Sequence, residues 1–165
     1  MERDKTYRGN ASQFYVAGEL CRRGYSAVVT LGNTPNVDVL CSNREGTRFA
    51  HIQVKTFLPG NKTCSVGRKS ERDFGPSFLW VLAGIPSPGQ DACFEYYIIP
   101  SKDMAFNVST AHKRWLETPG AKGQPHMDSG VRTVHLPPAP RRRQPSGPPA
   151  WRCRRFARYG ARRCQ

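Results

Sequence analysis

The 165-residue chain is long enough for one domain with a sizeable core, and it has no run of about 18 apolar residues that would mark a membrane span. Its start, MERDKTYRGN, lacks the apolar stretch of a signal peptide, so the sequence predicts a cytoplasmic protein with no membrane partner. The formal charge of +14 invites a nucleic-acid reading, but nine arginines and no acid fall in residues 141–165. The other 17 basic and all 12 acidic residues precede them, which leaves the first 140 residues at +5.

Residues 11–23, ASQFYVAGELCRR, carry Phe14, Ala17, Leu20 and Cys21 at helical spacing. Gly24 is suited to end that helix, and Asn10 or Ser12 to cap its start. YSAVVTL (25–31) reads as a strand and GNTP (32–35) as a turn. NVDVLC (36–41) is a second strand, with Val37, Val39 and Cys41 on one face and Asp38 and Leu40 on the other. SNREGT is a hairpin-type loop, and RFAHIQVKTF (48–57) is a third, longer strand.

The composition turns polar from Leu58 to Pro76, predicting a loop with one helical turn near Ser70–Phe74. SFLWVLAGI (77–85) is apolar throughout, as a central strand is, and ACFEYYIIP (92–100) is another strand. Two short helices follow, SKDMAF from Ser101 and STAHKRWLE (109–117), then a Gly/Pro-rich loop and an edge strand, VRTVHL (131–136). These elements predict a mixed α/β sandwich around one sheet, in a domain spanning residues 1–136. The six cysteines form no CxxC pair and no Cys/His cluster at zinc spacing, so they read as reduced thiols.

Residues 137–165 have no helical or strand periodicity and are too polar to bury a core. Three readings stand for this tail: an arginine arm gripping phosphates, a solvated disordered extension, or an out-of-frame coding end from which lysine vanishes. Function is not rested on it.

The chemistry concentrates in HIQVKT (51–56), where an amide and an ammonium alternate with apolar residues on one strand. Side chains two apart share a face, so Gln53 and Lys55 are neighbours, while Ile52, Val54 and Thr56 take the other side. A hairpin turning near Arg44–Gly46 would set Asp38 across the ladder from that pair. One carboxylate, one amide oxygen and one ammonium then converge, a set suited to phosphodiester hydrolysis. Mg²⁺ prefers hard oxygen donors, here Asp38, Gln53 and the backbone carbonyl of Val54. Lys55 would orient the attacking water or stabilise charge building on phosphorus.

Pro35-x-x-Asp38, followed fifteen residues later by Gln53-x-Lys55, resembles the PD-(D/E)XK nuclease superfamily. Within it, the chain is similar to bacterial endonuclease domains of Holliday-junction-resolvase-like layout. The matching residues are Gly9 and Gln13 on the first helix, the Gly24–Tyr25 exit, Asp38, IQVKT (52–56) and, more softly, YYIIPS (96–101). The resemblance implies a restriction-endonuclease-like α/β fold: a mixed sheet flanked by helices, with an α-β-β-β core and further strands and helices after it. It also implies a Mg²⁺- or Mn²⁺-dependent endodeoxyribonuclease of repair, recombination or host defence, with Asp38, Gln53, Lys55 and Gln13 in the catalytic positions. Such folds often work on DNA as homodimers.

Two positions depart from the pattern. Gln53 and Gln13 stand where the superfamily usually has Glu, which leaves one carboxylate and argues against a two-metal site. Glu19 lies six residues beyond Gln13, about 600° around the helix, so it points elsewhere and reads as a partner of Arg22 or Arg23. His51, Lys62, Arg68, Lys69 and Arg72 are candidates for DNA contact, against the plainer reading of a sheet histidine and a solvated loop. His112 and Trp115 read as packing residues. Two further functions stay open: a non-catalytic nucleic-acid-binding relic of the fold, or an interaction module whose QxK is structural.

Overall fold

Alternate residues of two adjacent strands, one near the middle of the chain and one after it, point into two different cores, and the rest of the fold is arranged around them. The computed structural model describes residues 5–31, 34–90, 92–137 and 157–158. Its elements are α1 (Lys5–Arg22), β1 (Ser26–Val29), β2 (Val39–Ser42), β3 (Phe49–Phe57), β4 (Thr63–Gly67), a 3-10 turn (Arg68–Glu71), β5 (Phe78–Gly84), β6 (Glu95–Pro100), α2 (Ser101–Glu117), β7 (Val131–His135) and β8 (Ala157–Arg158). Six strands form one sheet in the order β1-β2-β3-β5-β6-β8, and β4 pairs with β7 in a second sheet. β1, β2 and β3 are an antiparallel meander, while β5 runs parallel to β3. A parallel pair needs a crossover, and residues 58–77 supply it with β4 and the 3-10 turn rather than a long helix.

Val16, Ala17 and Leu20 of α1 pack on Val39, Cys41, Ile52, Val54, Val81 and Ala83. The opposite face of the sheet gives Phe57, Trp80 and Leu82 to a core closed by Met104 and Val108 of α2 and by Cys64, Val66 and Val134 of the small sheet. Each such burial is worth about 1.5–3 kcal/mol, so β5, buried almost throughout, is the strand on which both layers depend. Gly24 ends α1 as expected. It has φ +86°, its N–H donates to Cys21 O, and the Tyr25 N–H donates to Leu20 O, which is a Schellman closure.

Several elements differ from the sequence expectation. α1 starts at Lys5, a turn and a half early, and Ser12 is inside it rather than capping it. The Ser12 hydroxyl bonds Gly9 O at 2.6 Å and lies 2.7 Å from Thr56 Oγ1, so a tie to β3 uses the side chain that a cap would have used. α2 is one helix where two were expected, because Val108 is buried at the expected break. β4 was hidden in a polar stretch: only Cys64 and Val66 alternate inward, and its pairing with β7 spans some seventy residues. β7 therefore edges a second small sheet, not the main one. The expected disordered tail lies outside the described residues except for Pro137 and Ala157–Arg158, and the latter pair runs parallel to β6. Among the described residues no helix is long and apolar enough to cross a membrane.

Candidate active site

The β2–β3 ladder pairs Leu40 with His51 and Val39 with Ile52. One step further, Asp38 stands opposite Gln53, and its own N–H donates to Ile52 O at 2.8 Å. Asp38 is thus at the mouth of β2 rather than mid-strand. The Pro35–Asn36 turn precedes it, and Asn36 takes a left-handed φ of 62°, which delays the start of the strand. The end of β1 braces this mouth, since Thr30 donates its N–H to Asp38 O and its hydroxyl to Val37 O.

Asp38 Oδ2 accepts two hydrogen bonds, one from Gln53 Nε2 and one from the Val54 N–H at 2.7 Å. Alternation along β3 leaves Ile52 and Val54 buried under α1 and sets Gln53 and Lys55, both half-buried, on the opposite face. On β5 their register partners are Trp80 and Leu82, both fully buried. Burial pushes the Asp38 carboxyl above its ordinary range, against the Val54 N–H, the Lys55 charge and the Gln53 amide, which all favour the carboxylate. The charge of Lys55 is therefore felt at Asp38, although no hydrogen bond or close ion pair among the described residues holds the ammonium.

The first-helix position is different. Gln13 is half-buried beside Ser12, and among the described residues no hydrogen bond joins it to Asp38, Gln53 or Lys55. Glu19 is committed elsewhere, as the sequence suggested: it bonds Arg22 at 2.7 Å and Arg23 at 2.8 Å. His51 is exposed on the Gln53–Lys55 face. Lys62 and Lys69 are exposed on the crossover, Arg68 is bound to Asp128, and Arg72 lies 5.3 Å over the ring of Phe74.

Two features had no legible signal in the sequence. Arg132 is buried between Glu71 (2.5 Å) and Asp128 (3.1 Å), and Asp128 also takes His112 at 2.9 Å. Asp128 is four residues from Arg132, but Glu71 reaches Arg132 across 61 residues through the β4–β7 pairing, so no local spacing announces the network. Trp115, 42% exposed, stacks on His126 at 4.0 Å and on His112 at 5.4 Å. Beside the site, the buried indole N–H of Trp80 and the buried Oδ1 of Asn36 have no hydrogen-bond partner among the described residues.

The donor set of the site is one carboxylate, one amide and one backbone carbonyl. The N–H and C=O of one strand residue point to the same edge, so the Val54 carbonyl opens towards Asp38 with its N–H. Turning the Gln53 amide about its last torsion exchanges nitrogen for oxygen, and both oxygens then face one point. Three hard oxygens of this kind fit Mg²⁺ or Mn²⁺ and not a softer metal. No group of three His, Cys, Asp or Glu occurs among the described residues, so the set is no richer than that.

A helix, an antiparallel meander carrying the acid and the QxK pair, and a parallel crossover are now all in place. The fold is a mixed α/β sheet flanked by helices, in the element order that the resemblance implied. No family model and no curated protein matches the chain. Among solved structures it is similar to the Holliday junction resolvase Hjc of the archaeal hyperthermophile Archaeoglobus fulgidus, with 14% identity, 78% of this chain and 84% of that one covered, and a TM-score of 0.45. It is also similar to the bacterial homing endonuclease I-Ssp6803I, with 15% identity, 87% and 86% covered, and a TM-score of 0.49. The functional reading rests on the site's own residues.

Proposed function

We propose that this chain is a metal-dependent endonuclease that hydrolyses DNA phosphodiester bonds at Asp38, Gln53 and Lys55, in a cytoplasmic role in repair, recombination or defence. The observation that carries the reading is the Asp38 carboxylate, half-buried and raised by burial, set across a strand pair from an amide and an ammonium. Asp38, Gln53 and the Val54 carbonyl would hold Mg²⁺ or Mn²⁺, which lowers the pKa of a bound water and polarises the phosphate. Asp38 contributes the one negative charge, kept in place by the Val54 N–H. Gln53 bonds Asp38 through its amide nitrogen and offers a neutral oxygen once that amide is turned about its last torsion. Lys55 places its ammonium beside the phosphate, where charge accumulates on the nonbridging oxygens as water adds and the ester oxygen leaves. A preorganised donor of this kind is worth about 10²–10³ in rate.

Supercoiled plasmid incubated with Mg²⁺ or Mn²⁺ tests this directly. The parent is expected to nick it, and Lys55→Ala and Asp38→Asn to lose about a hundredfold or more. Failure of the parent under both metals sinks the reading. The single carboxylate supports a second reading, a nucleic-acid-binding relic of the fold, for which salt-dependent DNA binding without cutting is the expected result. Sedimentation of the full chain, with and without DNA, tests for a homodimer.

A further inference from the structure

The face of the sheet that carries the candidate site is covered on one side only. α2 and the small sheet close over β5, β6 and the last residues of β3, where Phe57, Trp80 and Leu82 are buried. Over β1, β2 and the first half of β3 none of the described residues is packed. Val28, Leu40 and Phe49 are 65%, 37% and 55% exposed there, with His51 exposed beside them. The register makes these one surface: Val28 pairs with Leu40, Leu40 with His51, and Ser42 with Phe49. Leu40 and His51 are each one side-chain row from Asp38 and Gln53, and Phe49 is about 13 Å along β3 from Gln53.

We infer that this shelf binds unpaired nucleotides next to the scissile phosphate, so that the substrate is DNA with an unstacked strand at the cut. The inference rests on the nuclease reading of Asp38, Gln53 and Lys55. A strand with its phosphate at that site cannot continue over the Phe57–Trp80–Leu82 side, which is filled, so its neighbouring nucleotides lie on the shelf. Apart from Asp38 and Lys55, the described residues of that face on β1–β3 include no acid, lysine or arginine. A regular duplex turns its phosphates outward and needs cations where this shelf has Val28, Leu40 and Phe49. Unstacked bases instead find apolar and aromatic surface to lie on. Arg44, exposed on the turn beyond Phe49, is placed for the phosphates that follow, and the one acid of that turn, Glu45, is tied to Asn43.

The test is fluorescence anisotropy of the full chain in EDTA, where nothing is cut, with a labelled oligothymidylate and a blunt duplex of equal length. The oligothymidylate is expected to bind more tightly, and Phe49→Ser and Leu40→Ser each to weaken it by about tenfold while moving the duplex by no more than about twofold. Phe106→Ser, at an exposed aromatic of α2, is the control, and Val28→Ser replaces any variant whose thermal midpoint falls. Equal binding of both DNAs, parent-like binding by the shelf variants, or a loss on Phe106→Ser instead overturns the inference. So does a parent that sediments as a dimer and is split by Phe49→Ser and Leu40→Ser, because a second copy would then cover the shelf. Plasmid cutting is read separately. Cutting without shelf dependence removes the shelf alone, and shelf-dependent binding without cutting removes the nuclease reading alone.

Discussion

Asp38 and Glu19 show how neighbours decide what a carboxylate can do. Asp38 keeps one oxygen for two N–H donors and is desolvated, with its carboxyl above the ordinary range. Glu19 is fully engaged, and the hydrogen bonds and charges of Arg22 and Arg23 hold its carboxyl below the usual range despite burial. Because the folded value of Glu19 lies below the unfolded 4.5, its contribution to stability is present above that pH and is lost as pH falls through the folded value. Arg22 is largely exposed, so the contribution is small, about 1 kcal/mol. Thermal midpoints of the parent and Glu19→Gln should therefore differ at neutral pH and converge in acid; a constant gap would reject the linkage. Both pairings were readable from spacing, since Glu19 sits three and four residues from its arginines and Asp38 fifteen from Gln53.

Among the elements, β3 and β5 make the tightest fit. Phe57 and Gly84 are register partners at the end of the parallel ladder, and a Cβ built on Gly84 would meet Phe57 Cζ at 2.7 Å and Glu95 Cβ at 3.1 Å. The ring is buried and has little room to yield, so Gly84→Ala should cost about 1–3 kcal/mol by denaturant unfolding. No loss would show that the ring moves freely. The sequence announced both strands, because an apolar run and an alternating run are local signals. It did not announce β4, whose two inward residues, Cys64 and Val66, are too few to mark a period without β7 opposite them.

At the scale of the whole molecule, the Arg132 network joins β7 to the 3-10 turn, and through Asp128 and His112 to α2. Asp128 is shared by two arginines of unequal burial, Arg132 at 3% exposure and Arg68 at 62%. Removing the buried partner strands Glu71 and leaves a hole, so Arg132→Ala should cost about 3 kcal/mol. Arg68→Ala should cost no more than about 1 kcal/mol, since water replaces an exposed partner. Equal losses in urea unfolding would refute the assignment. Among the described residues the same layering leaves β1 and β2 bare opposite α1, which opens the candidate site on one side.

By itself the sequence determined the order helix, meander, central strand and late helix, the end of α1 at Gly24, and the facing of Asp38 to Gln53 and Lys55. All of these follow from periodicity and short hairpin registers, which act over a few residues. Only the tertiary structure decided that Asp38 sits at a strand mouth, that residues 63–67 form a strand, that Arg132 is buried among acids, and that the site is walled on one side and open on the other. Those outcomes depend on pairings far apart in the chain, where burial of a few side chains overrides local preference.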